Sequence, residues 1–251
     1  MTNKWLKVAL MVTAIATGTS IKIDAETVLY VPQDDRPVSL QYTVDTAREA
    51  GMTVLTPPQH LISGKTYQGQ ADQIMAWVEQ NAGRADVMVL STDTLIYGGL
   101  VDSRKHNIPL STLQNRLKRI EGLKARNKNV RIYGFGTVMR SPRASGGGTE
   151  PAYYAEYGPT IFQIAALQDK LDSGSLTQEE TQKMMSLQAS VPVEYLQDWF
   201  DRRQKNMKIN KELIDETRSG VFDYFALGHD DTSQLSQSAL EGRYLNKYSK
   251  D

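Results

Sequence analysis

The stretch ADVMVL at Ala85–Leu90, followed directly by STDT at Ser91–Thr94, decides the fold class. A short run that is apolar apart from Asp86 is typical of a parallel strand buried on both faces, and the polar residues after it mark its carboxyl end. Three other segments have the same form: Thr27–Pro32 before QDDRP, Val130–Thr137 before MRSPR, and Phe222–Leu227 before GHDDT. Because the carboxyl ends of parallel strands open onto one crevice or barrel mouth, these clusters predict one shared site.

Segments with apolar residues at helical spacing lie between the strands. We predict helices at Leu40–Gly51, Gln70–Asn81 and Pro109–Asn127, and a short strand at Thr53–Thr56. Strand and helix in alternation indicate right-handed crossovers and a parallel α/β sheet. A helical insertion is expected at about 160–219, because helical patterns follow one another there without a strand. A last, weaker helix is predicted from Ser236 to Tyr248.

Two arrangements of these five strands remain open. They can be the first five strands of a TIM-like barrel, or an open, doubly wound five-stranded sheet. A complete barrel needs eight units and about 250 residues, so the barrel alternative implies that the domain is incomplete at its carboxyl terminus. In that case we expect strands 1 and 5 to carry unpaired edges, which favour aggregation.

The amino terminus has the composition of an export signal. Lys4 and Lys7 precede the apolar run Val8–Ile15, and small residues lead to a cleavage position after Ala25. We therefore predict a signal peptide at 1–25, a single α/β domain at 26–251, and a secreted or cell-envelope location. After the signal, no stretch of sequence is long and apolar enough for a membrane span.

The overall composition excludes several classes of function. The chain has no cysteine, which rules out a disulfide framework, a thiolate nucleophile and a cysteine zinc site. Its 29 lysines and arginines balance 29 acidic residues, so nothing favours nucleic acid as a partner. No GxSxG elbow or glycine-rich nucleotide motif follows a strand, which disfavours serine hydrolysis and nucleotide cofactors.

The string YVPQDDRPV at Tyr30–Val38 resembles the opening motif of a bacterial family catalogued as domain of unknown function 4127. Four more blocks resemble that family in the same order: STDTLIYGGLV at Ser91–Val101 with Ser103-Arg104, VMRSP at Val138–Pro142, EPAYYAEYG at Glu150–Gly158, and GHDDT at Gly228–Thr232. The resemblance covers nearly the whole mature chain and implies a longer full-length relative, of which this chain is the N-terminal portion. Gln33 and His229 depart from the usual leucine and glutamine. The resemblance implies no particular activity, so the chemistry has to come from the residues.

Three aspartates at strand ends, Asp93, Asp230 and Asp231, are the candidate catalytic residues. Adjacent aspartates can divide acid and base roles, because mutual repulsion separates their pKa values. The simpler alternative for Asp93 is that Ser91, Thr92 or Asp93 itself caps a helix.

Polar and aromatic residues near the same strand ends are candidates for substrate binding. Arginine can clamp an anionic group or act as countercharge to a buried carboxylate, and tyrosine can stack on a sugar ring. Gly98-Gly99 would permit close approach of a ligand. A turn held by an Arg–Asp pair, and a loop packed by its own tyrosines, are the alternatives at Asp34–Arg36 and Glu150–Tyr157. The predicted set is Asp34, Asp35, Arg36, Tyr97, Arg104, Arg140, Arg143, Glu150, Tyr154 and His229.

Three functions compete at this stage. The first is an exported carbohydrate-active, glycosidase-like hydrolase without a cofactor, which uses the strand-end carboxylates on a small-molecule or glycan substrate. The second is a hydrolase that depends on a divalent cation, held by Asp34 or Asp35 with Asp93, His229 and Asp231. The third is a non-catalytic envelope protein that binds a ligand in the same crevice. Chelator sensitivity separates the first two, and turnover separates both from the third.

Overall fold

The computed structural model describes residues 25–144, 147–230 and 233–251. The predicted signal peptide and Asp231 therefore lie outside the described residues, apart from Ala25. Five strands form one parallel sheet: β1 at Thr27–Val31, β2 at Thr53–Leu55, β3 at Val87–Ser91, β4 at Arg131–Val138 and β5 at Tyr224–His229. The predicted parallel α/β class is confirmed.

The strands are arranged in the order β2-β1-β3-β4-β5. Leu29 of β1 is in register with Leu55 of β2 on one side and with Met88 of β3 on the other. In a barrel of consecutive strands β2 would stand between β1 and β3, so this order is that of the doubly wound alternative. The expectation that β1 carries a free edge is wrong, because β1 is internal; β2 and β5 form the edges of the described sheet.

Nine α-helices are described between and after the strands. They are α1 at Gln41–Glu49, α2 at Ala71–Asn81, α3 at Thr92–Tyr97, α4 at Asp102–Lys105, α5 at Leu110–Arg126, α6 at Tyr154–Asp172, α7 at Gln178–Ala189, α8 at Val193–Arg218 and α9 at Gln237–Lys250. The insertion begins earlier than expected, because α6 already starts at Tyr154. Thr177 and Glu180 form a capping box at the start of α7. None of the helices in the described parts of the chain has the length and apolar character needed to cross a membrane.

The main core lies on one face of the sheet. Leu29, Met88 and Ile132 from the strands pack there with apolar residues of α2, α5 and α8. On the opposite face, α1 covers part of β1 and β2, and an apolar groove between Ala47 and Tyr133 remains open. A second apolar cluster inside the helical insertion is built around Trp199 and Tyr154.

Candidate functional site

The carboxyl ends of all five strands meet at one crevice of about 270 Å³. Each strand contributes at least one lining residue: Asp34 and Arg36 after β1, Lys65 after β2, Leu100, Val101 and Arg104 after β3, Arg140 and Thr149 after β4, and Asp230 after β5. The crevice lies next to the point between β1 and β3 where the strand order reverses. Ligands bind at this position in open parallel sheets.

Arg104 forms the inner wall of the crevice. Its side chain is only 5% exposed and donates a hydrogen bond to the carboxylate of Asp230, which is 31% exposed. A second guanidinium nitrogen lies 4.0 Å from Glu150 Oε1. Burial lowers the pKa of Arg104 from its ordinary value, while the neighbouring carboxylates act in the opposite direction. Arg104 therefore acts as a countercharge to Asp230 and, at longer range, to Glu150.

The DDRP motif places two residues at the crevice. Arg36 Nε lies 2.8 Å from Asp34 Oδ2, and the Arg36 backbone N–H donates to Asp34 Oδ1 at 3.2 Å. Asp34 is thereby fixed, while the Arg36 side chain stays 53% exposed. Asp35 turns away and accepts a hydrogen bond from the hydroxyl of Tyr67. Adjacent side chains of an extended segment point to opposite sides, so only one of the two aspartates lines the crevice.

Arg140 and Glu150 close the side of the crevice that follows β4. Arg140 Nε donates to Glu150 Oε1 at 2.8 Å, and another guanidinium nitrogen donates to Thr149 Oγ1 at 2.8 Å. Glu150 is buried beneath this arginine and near Arg104. It therefore orients the two arginines instead of facing the open space.

Lys65 was not predicted from the sequence, because the loop between β2 and α2 carries no acidic cluster. This loop packs against the turn after α3: a side chain at Gly99 would meet Ser63 Oγ at 1.8 Å, and one at Gly69 would meet the Gly98 carbonyl oxygen at 2.0 Å. Asp102 Oδ2 also accepts the Gly69 backbone N–H at 3.0 Å. The two glycines expected to approach a ligand approach this loop instead, and so bring Lys65 to the crevice.

Asp93 lies beneath the crevice and does not line it. Its Oδ2 accepts hydrogen bonds from Gln33 Nε2 at 2.9 Å and from Thr137 Oγ1 at 2.8 Å, which tie together the segment after β1, helix α3 and strand β4. Burial raises the pKa of Asp93 to about 6, although these hydrogen bonds act to lower it. Ser91, not Asp93, caps α3 by accepting the Thr94 backbone N–H. This placement favours a supporting role for Asp93 over direct contact with a ligand.

A family model described as "Protein of unknown function (DUF4127)" matches residues 28–251. The chain belongs to this family. The resemblance seen in the five sequence blocks is thereby confirmed, and each block contributes to the crevice or to the contacts that hold it. No curated protein and no solved structure matches the chain.

Two tyrosines that were predicted to bind substrate, Tyr97 and Tyr154, lie in apolar cores. Tyr97 ends α3, is 7% exposed and stacks on His106 with ring centroids 5.0 Å apart. Tyr154 is fully buried in the cluster of the insertion, where its hydroxyl donates to the Pro142 carbonyl oxygen at 2.9 Å. The structure places neither tyrosine in the crevice lining.

Two other residues that were predicted to bind substrate, Arg143 and His229, also face away from the crevice. Arg143 stacks on the ring of Phe162, with its guanidinium carbon 5.3 Å from the ring centroid, and lines a separate groove on the insertion. The His229 ring lies against α9, where a side chain added at Gly242 would meet it at 2.0 Å. Asp231, two residues after His229, lies outside the described residues, so the catalytic role of Asp231 stays a prediction.

No group of three or more acidic or histidine side chains is arranged as metal ligands within residues 25–144, 147–230 and 233–251. Of the ligand set considered from the sequence, Asp34 binds Arg36, Asp35 binds Tyr67, and Asp93 binds Gln33 and Thr137. These partners account for the carboxylates without a cation.

Proposed function

We propose that the chain is a glycosidase-like hydrolase that acts on a glycan or small sugar substrate in the strand-end crevice. The observation that carries this proposal is that two carboxylates, Asp34 and Asp230, line one crevice of about 270 Å³ at the strand-order reversal. A pair of carboxylates on either side of one substrate-sized space is the arrangement that glycoside hydrolysis requires.

The chemistry divides between the two carboxyl groups. One carboxylic acid gives its proton to the glycosidic oxygen as the bond to the anomeric carbon breaks. The other carboxylate either attacks the anomeric carbon or takes a proton from the attacking water. Arg36 fixes Asp34, and Arg104 fixes Asp230, so both groups are held in place before a substrate arrives.

Hydrolysis of a panel of aryl glycosides tests this proposal. We expect release of the aryl group from at least one glycoside by the full chain, with no loss of activity after treatment with EDTA. Asp230→Asn should lower kcat/KM on that glycoside by about 100- to 10,000-fold, because the amide keeps the shape but cannot transfer a proton. Asp201→Asn, at an exposed position on α8, is the matched control and should not change it.

Three results would count against the proposal. Absence of turnover on every glycoside would contradict it, and so would full activity of Asp230→Asn. Inactivation by EDTA would instead support the divalent-cation hydrolase, which would then require Asp231 as an additional ligand.

A second function is favoured by a specific feature of the crevice. Both lining carboxylates are bound by arginines, as in a site that holds a ligand without transforming it. This non-catalytic alternative predicts saturable sugar binding without any turnover.

Export belongs to the same proposal and rests on the N-terminal sequence, with its lysines before the apolar run Val8–Ile15. Cell fractionation tests it: we expect the chain outside the cytoplasm and beginning at Glu26. Recovery of the chain from the cytoplasm with its first residues intact would contradict export.

A further inference from the structure

We propose that the substrate carries an oxyanion, a carboxylate or a phosphate, and that Lys65 and Arg36 bind it at the mouth of the crevice. This inference rests on the proposed function in that it concerns the same site, and it specifies the class of substrate. Four cationic side chains line the space, whereas only two carboxylates do: the cations are Arg36, Lys65, Arg104 and Arg140.

Three of the four lining cations are paired with carboxylates in or behind the wall. Asp34, Asp230 and Glu150 pair with Arg36, Arg104 and Arg140, respectively. Lys65 has no ion-pair partner among the described residues, and its side chain is exposed. The Lys65 ammonium is therefore the lining cation that is available to pair with an anionic group of a ligand.

The hydrogen-bonding groups of the crevice lead to the same class of ligand. Three guanidinium groups and one ammonium group bring many N–H donors to this space, while a carboxylate supplies acceptors only. Arg36 gives Nε and one terminal nitrogen to Asp34, and its remaining donors lie on a half-exposed side chain. A sugar hydroxyl can accept such a hydrogen bond as a neutral group, whereas an oxyanion accepts several of them at once and also matches their positive charge.

The loop that carries Lys65 is held rigidly enough to form part of a binding site. Its glycine contacts with the turn after α3 and the hydrogen bond from the Gly69 backbone to Asp102 fix it next to the crevice. An ordinary surface lysine has no such support. The buried Arg104 at the inner wall shows in addition that the crevice is a built site and not a chance cluster on the surface.

Calorimetric titration of the full chain with D-glucuronate, D-glucose and inorganic phosphate at one constant, low ionic strength tests the inference. We expect D-glucuronate to bind at least about tenfold more tightly than D-glucose. Lys65→Gln should weaken glucuronate binding by about five- to tenfold, through loss of one charge-assisted contact, and leave glucose binding unchanged. Lys128→Gln, at an exposed position after α5, is the control and should have no effect.

The arms of the experiment distinguish the source of the anion and separate this inference from the proposed function. Tight binding of phosphate that also requires Lys65 would support the oxyanion with a phosphorylated substrate as its source. Equal affinity for glucuronate and glucose, or no effect of Lys65→Gln, would overturn the inference even if neutral glycosides are hydrolysed. Lys65-dependent binding of glucuronate without turnover of any aryl glycoside would leave the inference standing and defeat the hydrolase.

Discussion

The floor and the rim of the crevice contain the same residue types in opposite environments. On the floor, Asp93 and Arg104 are almost completely buried, and their contacts join the segments that follow different strands. On the rim, Arg36 and Lys65 are exposed, and Asp230 is one-third exposed. We therefore expect the same charge to have different consequences: on the floor for stability, and on the rim for the binding of a ligand.

The largest effect on stability is expected on the floor, at Arg104. Arg104→Met should lower the free energy of unfolding by about 2–4 kcal/mol, because the partly buried Asp230 would lose its cation and Glu150 would keep only Arg140. Arg126→Met is the matched control, since that side chain is 58% exposed and its pair with Glu79 contributes at most about 1 kcal/mol. Urea unfolding measures both variants. Equal losses of stability in the two variants would show that the buried Arg104 contributes no more than an exposed arginine.

A pH-dependent contribution to stability is expected from Asp93. Its pKa is about 6 in the folded protein against an ordinary value of 3.8, so the folded state holds the proton more tightly than the unfolded state. The stability that this difference contributes is fully present below about pH 4 and is lost as the pH rises through 6. By linkage it amounts to at most about 3 kcal/mol.

Comparison with Asp93→Asn isolates this contribution from those of the other titrating groups. The variant does not titrate at this position, so its stability relative to the original chain should increase between pH 4 and pH 7. Urea unfolding at both values gives the difference. If the free energies of unfolding of the original chain and of Asp93→Asn changed by the same amount between the two pH values, the raised pKa of Asp93 would be contradicted.

Rim substitutions should barely affect folding. Arg36→Gln should lower the free energy of unfolding by about 1 kcal/mol, because the Arg36 side chain is 53% exposed and the buried Asp34 keeps its hydrogen bond from the Arg36 backbone N–H. The same urea measurement serves here. A loss as large as that of Arg104→Met would erase the distinction between rim and floor.

The smallest effect is expected at Tyr97, next to the floor. Its hydroxyl is buried without a hydrogen-bond partner among the described residues, so Tyr97→Phe should leave stability unchanged or raise it slightly. Tyr154→Phe is the matched comparison and should cost about 1 kcal/mol, since that hydroxyl donates to Pro142. Thermal melts suffice, and a clear loss in Tyr97→Phe would reveal a partner for its hydroxyl.

Sequence predicted the residues that line the crevice better than the strand order and loop contacts that bring them together. Asp34, Arg36, Arg104, Arg140 and Asp230 follow apolar strands, and this pattern placed them at the crevice correctly. The strand order could not be read in the same way, because pairing of β1 with β3 is a contact between distant segments. Lys65 was missed for a related reason, since only the glycine contacts across two loops bring it to the site.

Local signals in the sequence explain why Tyr97 lies in the core. Ser91 at the start and Gly98, with a φ of 110°, at the end delimit the short helix α3. That helix turns Tyr97 into the core, whereas we expected a loop that presents it to a ligand.

The claim that catalysis belongs to the rim is tested most directly by comparing kcat/KM of Asp230→Asn and Asp93→Asn on the same aryl glycoside. Both substitutions preserve shape and remove one ionisable carboxyl group. The account predicts a loss of about 100- to 10,000-fold for Asp230→Asn and nearly full activity for Asp93→Asn at a pH where both variants are folded. An active Asp230→Asn beside an inactive Asp93→Asn would contradict it and move the chemistry to the floor.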